Sequence, residues 1–380
     1  MTYRPILTAS VLVVVALISA TVETSERGIE KSSKENPPVV DLSTLKTLSG
    51  VVETLTSKKI VYVGEQHDRF SHHQVQLEII RALYQQTPRI AVGMEMFQRP
   101  FQKALDDYIG GLIDERAFLK QSEYFKRWNI DYNLYKPIVD FAKEKRLPVI
   151  ALNVQREIVQ KVAKGGLDSL SQEEKREIPQ ELDFSDQEYR ARLKDVFAQH
   201  RESQERTFES FYQAQILWDE AMAESIDRFL KKNPDFRFVV LAGAGHLQYG
   251  SGIPKRSFRR NGYGYAIVLN EGEIKKHIAD FIIFPEPSKG PTAPRLMAVL
   301  EEQNQKVRIT GFAKDSAAEK AGLKAEDTLM SLDDSPVSSV EDVRLALFYK
   351  RPGEMMRVKV RRGDEGLEFN VRLQESGSRE

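Results

Sequence analysis

KIVYVGEQHD, residues 59–68, decides how the rest of the chain is read. Residues 60–63 form a short, β-branched apolar run, the pattern of a strand buried on both faces. The run stops at Gly64 and gives way at once to Glu65, Gln66, His67 and Asp68. Ionisable side chains just past the carboxyl end of an interior strand stand where open α/β sheets form ligand crevices. Three further runs end in the same way: 90–93 before Glu95, 149–152 before Asn153, and 238–242 before Gly243-Ala244-Gly245-His246. Polar groups delivered by these strand ends are the main functional signal in the chain.

Between the runs lie helical patterns. Residues 72–86 carry Val75, Ile79, Ala82 and Leu83 at helical spacing, with Ser71 as the expected N-cap. Pro100 stands at a second helix start, and DFAKEKR precedes the strand of PVIALN. Such alternation predicts a parallel sheet with helices on both faces. From 157 to 232 the chain reads as charged and helical, an insertion whose last part carries Ile216, Leu217, Ala221, Met222 and Ile226 on one apolar face. Strands at 238–242 and 263–269 follow. FPEPSKGPTAP, residues 284–294, reads as a linker. Beyond it, β-type runs at 307–311, 328–332, 356–361 and 367–373 surround a helical stretch at 340–348, enough for a second, smaller domain. The expected architecture is α/β, with a mainly parallel sheet and a helical insertion over 39–283, a linker at 284–294, and a small mixed α+β domain over 295–375.

Residues 6–22 are apolar and follow Arg4, so 1–22 reads as a secretory signal or an uncleaved anchor, with 23–38 as a polar tether. Export and membrane association through the amino terminus are the expectations. The 56 basic and 56 acidic side chains cancel, and no basic stripe is interleaved with aromatics, which argues against nucleic acid. The cluster Lys255-Arg256 with Arg259-Arg260 reads as solvated surface. There is no cysteine, which excludes disulfides, zinc-thiolate sites and a lipid-bearing amino-terminal Cys.

Gly64-Glu65-Gln66-His67 and Gly243-Ala244-Gly245-His246 share the form G-x-x-H. Glycine lets the backbone turn sharply, and the histidine three residues on can point into the crevice. With Glu65, Glu95, Asp68 and Asn153 nearby, the set suits a divalent metal held by His67, Glu95 and His246, or a metal-free acid–base site using Glu65, His67, Glu95 and His246. His72 and His73 open the following helix, where helix-start residues usually face solvent. Tyr135 and Trp128 read as core aromatics that could also stack on a flat ligand, and Trp218-Asp219 on the long helix as core first and lid contact second. Tyr249 follows His246 closely enough to line the same cavity, and His200 and His277 read as surface residues.

These residues resemble the ChaN-like haem-binding uptake family of the Tiki superfamily. The match rests on GEQHD at 64–68 with His72 following, GMEMF at 93–97, YKP at 135–137, ALN at 151–153, QILWDEAMA at 215–223 and GAGHLQYGSGIP at 243–254. The resemblance implies an extracytoplasmic bacterial protein of the periplasm or envelope, tied to haem or iron acquisition. His67, His72, Tyr135, His246 and Tyr249 are the candidate haem-binding residues, and a homodimer stays open. It also implies kinship with metalloproteases and erythromycin esterase-like hydrolases, whose paired G-x-x-H motifs and glutamate match His67, His246 and Glu95. Residues 308–347 resemble a bacterial PDZ domain, followed by the KRPGEMMRVKVRRG hairpin. Such domains bind a protein C-terminus or an extended peptide by strand addition. Leu296, Met297 and Ala298 are the expected binding loop, with Ala298 where glycine is usual. Haem handling with a peptide-binding module is the leading reading. A metal-dependent hydrolase is the alternative, and an envelope scaffold working through the PDZ domain is a third.

Overall fold

The computed structural model describes residues 40–199 and 206–375. The expected signal or anchor, the whole of the expected tether and His200 lie outside the described residues. The chain runs through α1 (Leu48–Leu55), β1 (Ile60–Glu65), α2 (Phe70–Gln86) and β2 (Ile90–Gln98). Helices α3 (Gln102–Ile109), α4 (Glu115–Gln121), α5 (Tyr124–Arg127) and α6 (Lys136–Lys145) then lead to β3 (Val149–Asn153). After α7 (Arg156–Gly165), α8 (Gln172–Arg176), α9 (Gln187–Gln199) and α10 (Phe208–Lys232) come β4 (Arg237–Gly243), α11 (Ile253–Asn261), β5 (Tyr265–Asn270) and β6 (Phe281–Ile283).

These strands form a six-stranded sheet in the order β3-β2-β4-β1-β5-β6. The β1–β4, β1–β5, β2–β4 and β5–β6 pairings are parallel. Every residue of β1 and of β2 is buried, which explains why they read as unbroken apolar runs rather than as alternating ones. Ile60, Tyr62, Phe238 and Val240 from the sheet share a core cluster with Met222, Ile226 and Leu230 of α10. The apolar face expected on that helix is therefore buried.

Three details differ from the expectation. Helix α2 begins at Phe70 with Arg69 at its N-cap, so Ser71 lies inside the helix. Strand β2 runs on to Gln98, which puts Glu95 within the strand rather than after it. Strand β6 was not foreseen: its three half-buried residues are too few to show a period.

The basic cluster on α11 is also not plain surface. Buried Glu220 of α10 accepts from Arg259 Nη2 at 2.8 and 2.9 Å and from Arg260 Nη2 at 2.6 Å, and the backbone N–H of Asp183 donates to it at 3.0 Å. Arg256, itself 1% exposed, stands 3.4 Å away. Glu220 thus compensates guanidinium groups from one helix while tying them to another. Glu220→Ala should destabilise the α/β domain by about 3 kcal/mol, because it strands buried positive charge; urea unfolding of the variant measures this.

By its internal contacts the chain divides into two units, Met1–Pro100 with Ile150–Pro285, and Phe101–Val149 with Glu286–Glu380. The second unit holds β7 (Ala298–Gln303), β8 (Lys306–Phe312), α12 (Ala317–Lys320), β9 (Thr328–Leu332), β10 (Ser335–Pro336), α13 (Val340–Phe348), β11 (Met355–Arg362) and β12 (Glu365–Arg372). Its strands pair in the order β12-β11-β9-β8-β7, with β10 joining β9, and the pairings β7–β8, β8–β9, β9–β11 and β11–β12 are antiparallel. Buried Asp327 accepts from Arg362 Nε and Nη2 at 2.7 Å each and from the backbone N–H of Lys324 at 2.8 Å, pinning β11 to the turn before β9.

Candidate functional site

Strands β1 and β4 are neighbours, but β1 leads by α2 toward β2 while β4 leads by α11 toward β5 on the other side. Right-handed crossovers running in opposite directions pass over opposite faces of a sheet, so the loops diverge and leave a crevice at the carboxyl ends. Both G-x-x-H motifs open there, with Glu65 in register with Gly243. Glycine at 243 leaves room for the imidazole: a Cβ would lie 3.1 Å from His67 Cε1 and 3.2 Å from its Nε2, so the ring would have to give way. At Gly64 a Cβ would come within 2.6 Å of Leu269.

Glu65 is fully buried. Its Oε1 lies 2.7 Å from His67 Nδ1, while Oε2 accepts from Gln76 Nε2 at 2.7 Å and lies 3.3 Å from His73 Nδ1. Burial works to raise its pKa, but the charge of His73 and the hydrogen bonds of His67 and His73 hold it well below the usual carboxylate range. His73 also reaches the backbone carbonyl of His67 through Nε2 at 3.1 Å. A carboxylate accepts but cannot donate, so His67 presents its proton to Glu65 from Nδ1 and turns Nε2 the other way.

The second motif repeats the device. His246 Nδ1 lies 2.6 Å from Asp219 Oδ1, and Tyr189 Oη donates to Asp219 Oδ2 at 2.8 Å. His246 and Asp219 are both 0% exposed. His246 Nε2 has no hydrogen-bond partner and stands 3.5 Å from Glu95 Oε1, which has none either. Glu95 Oε2 accepts from the Gly243 N–H at 2.7 Å. Burial alone would lower the pKa of either imidazole. For His67 the hydrogen bond to Glu65 and the charge of Glu95 reverse this, and for His246 the charges of Glu95 and Asp219 do so; both are raised.

The structure therefore brings Glu65, His67, Glu95 and His246 together. Asn153 joins them through Nδ2, which donates to the Glu95 carbonyl at 3.1 Å. Asp68 is exposed and stays outside. His72 and His73 are buried rather than solvent-facing: His72 Nδ1 accepts from the Gln66 N–H at 3.0 Å and its Nε2 lies 3.5 Å from Glu271. Tyr249 is half-buried with φ 59°, and the Arg192 guanidinium lies 4.4 Å from its ring centroid. Tyr135 belongs to the other unit, where it is fully buried at the start of α6. His277 is exposed, as expected. Sequence reasoning missed His73 and Gln76 and gave Asp219 no role in the cluster. The signal for Asp219 was present: it and Glu220 interrupt the apolar face of α10.

Among the described residues, no group of three or more His, Asp or Glu side chains is arranged to hold a metal ion. Of the expected ligands, His67 and His246 have Nδ1 committed to Glu65 and Asp219 and Glu95 has Oε2 committed to the Gly243 N–H, while His246 Nε2 and Glu95 Oε1 stand 3.5 Å apart without hydrogen-bond partners.

In the second unit, Leu296 is buried in the core cluster of β-strands and α13, Met297 has a left-handed φ of 55°, and half-buried Ala298 begins β7. The Met297 carbonyl accepts from the Ala313 N–H at 3.0 Å. Strand β7 is at the sheet edge, with its far side open to a further strand among the described residues.

A mainly parallel α/β sheet with buried carboxylates and imidazoles at the divergence of two strands, followed by a small antiparallel domain with β7 at its edge, defines the class of fold. The profile of the haem-binding uptake family, Tiki superfamily, ChaN, matches residues 51–256, and the chain belongs to that family. A PDZ domain profile matches residues 294–373. A solved structure described as cofacial heme binding to ChaN of Campylobacter jejuni is 18% identical, covers 62% of this chain and 91% of that one, and superposes with a TM-score of 0.51; it shares the fold. A probable periplasmic serine endoprotease DegP-like of Chlamydia trachomatis is 25% identical over 133 residues, 35% of this chain. The match spans 25% of that relative's length. An HtrA-type protease, AlgW, solved with a decapeptide, is 15% identical over 22% of this chain and 29% of that one, with a TM-score of 0.21, too low to support an argument.

Replacing Asp219 by Asn should leave the fold in place and release the His246 ring. Nitrogen-15 NMR of the imidazole should show a fixed Nδ1–H in the wild type and mixed tautomers in the variant.

Proposed function

We propose that this chain is an extracytoplasmic haem-handling protein of the iron-uptake kind, with a PDZ module that takes extended peptide ends. The observation that carries the haem reading is membership of the haem-binding uptake family, together with the crevice at the β1–β4 strand ends. The Campylobacter ChaN structure is one of cofacial heme binding. The extracytoplasmic setting is supported by the apolar amino-terminal sequence and by the periplasmic description of the Chlamydia relative.

Haem, when bound, supplies an iron that needs an axial oxygen or nitrogen from the protein. The residues present fit that need at the crevice rim better than at its floor. His67 and His246 are buried beside Glu95. Tyr249 is half-buried, and Arg192 against its ring places positive charge beside it, suited to a haem propionate. His72 is as buried as His67 and His246, and its Nε2 stands 3.5 Å from Glu271. Titration of hemin into the full chain should give a saturable Soret change. Tyr249→Phe should weaken binding tenfold or more, and the double change His67→Ala, His246→Ala should leave it nearly intact. No saturable change in the wild type would overturn the haem reading.

A specific observation favours hydrolysis as the second reading. Two carboxylate-backed imidazoles flank Glu95, more acid–base equipment than a carrier needs. The residues as they stand do not make a ready metal cage, so this reading uses Glu95 and His246 Nε2 to move protons at a bound ester or amide. If it holds, hydrolysis of p-nitrophenyl acetate should fall roughly a hundredfold in both Glu95→Gln and His246→Ala.

The PDZ reading rests on the free edge of β7 facing α13. An array of ten-residue peptides with free carboxyl ends, probed with the full chain, tests it. Binding peptides should protect the β7 amides from hydrogen exchange, because strand addition occupies them.

A further inference from the structure

The helices between β2 and β3 fold with the PDZ domain as one unit, and they cover a face of α13 that the PDZ core does not use. Val343, Ala346 and Leu347 point from α13 into the PDZ core with Leu329 and Val358. Leu345 and Phe348 lie outside that core cluster yet are only 3% and 8% exposed. The Phe348 ring packs on Phe125 and Tyr132, with centroids 5.8 and 5.6 Å away. Around this apolar contact, Arg344 Nη1 donates to the Phe125 carbonyl at 2.9 Å and Arg116 Nη2 donates to Ser335 Oγ at 3.0 Å. The Ala293 N–H, from the expected linker, donates to Asp131 Oδ2 at 2.7 Å. Helix α13 and strand β7 are the walls of the expected peptide groove. One wall is therefore braced by helices that the chain inserts between two strands of its α/β sheet.

One group in this contact is poorly compensated. Glu341, on α13, has a buried carboxylate oxygen, Oε1, without a hydrogen-bond partner. Facing it are Glu123 and Lys126 of α5 and its N-cap, Lys120 of α4, and Asp342 on its own helix. Arg127 Nη2 stands 2.7 Å from Glu123, and Lys120 Nζ stands 3.7 Å from Asp342, so the nearby cations are shared with other carboxylates. We propose that the packing of α4 and α5 on α13 is an acid-strengthened latch that sets how freely the groove wall moves. Its consequence for peptide binding rests on the PDZ reading above; the latch itself does not.

The sign follows from where the proton sits. Burial first, and then the charge of Glu123, raise Glu341 to about 7 in the packed state. Once the contact opens, the carboxyl returns to the ordinary carboxylate range, so the packed state binds a proton that the open state releases. The latch is then strongest below the ordinary carboxylate pKa, weakens as pH rises through it, and has lost this contribution above about 7.

Hydrogen exchange of the full chain at pH 5.5 and 7.5, without peptide and corrected for the intrinsic pH dependence of exchange, tests this. Protection of α13 and α5 amides should fall about fivefold between the two pH values, a figure discounted for the partial exposure of the site. Glu341→Gln should hold protection high and equal at both. Glu123→Gln, across the contact, should lessen the same response. Equal protection of wild-type α13 at both pH values, a response that survives in Glu341→Gln, or one untouched by Glu123→Gln would each overturn the latch. Failure of the peptide array would overturn the PDZ reading and leave this result standing.

Discussion

A carboxylate buried at the end of an interior strand has to be compensated where it stands, and Glu65 imposes that condition on everything around it. Its two oxygens are met by His67, His73 and Gln76, so the loop after β1 and the first turns of α2 are fixed together. With that corner set, His67 can turn only one way. Its ring then lies against the backbone of Gly243, where a side chain would have to push it aside. The β4 loop repeats the solution with a carboxylate from a helix in place of one from the strand. The outcome is a floor of charged groups in which each imidazole has one nitrogen committed to a carboxylate.

Such a floor is rigid by construction. Each ring is held at Nδ1, the carboxylates are held in turn by Gln76 and by Tyr189, and Glu95 is held by a backbone N–H. Rigidity of this kind suits a site that must present fixed atoms to a ligand, whether a large flat one resting at the rim or a small one reaching Glu95. Tyr249 and Arg192 differ from this floor: both are half-buried, with the guanidinium 4.4 Å from the ring centroid.

Much of this was legible in the chain itself. The runs ending at Gly64 and Gly243 identify themselves because a buried parallel strand is a local pattern, and so is the helix of the PDZ domain, which begins and ends where its spacing says. Glu95 was recognised although the strand continues past it. The burial of His72 and His73 was not legible, because residues at a helix start face water or core according to how the helix is rotated, and that rotation is set by Glu65. Asp219 lies 27 residues from His246, joined to it only through tertiary structure. Its mark was a charge within an apolar face, a pattern worth reading as a buried partner before reading it as an interruption. The basic cluster on α11 misled for the same reason, since its counter-charge, Glu220, sits on another helix.

The bracing of α13 was illegible because its two halves are remote in the chain: Arg344 and Phe125 are 219 residues apart. That separation has a temporal consequence. During synthesis the aromatic surface of α4 and α5 emerges long before the helix that covers it, and the rest of the α/β sheet is made in the interval. Phe125 and Tyr132 must wait uncovered until the last strands leave the ribosome, the circumstance in which apolar surface is most exposed to aggregation or to a holding chaperone. A carboxy-terminal truncation should therefore injure more than peptide recognition, because it would leave the α/β portion of the chain with an apolar surface that nothing arrives to cover.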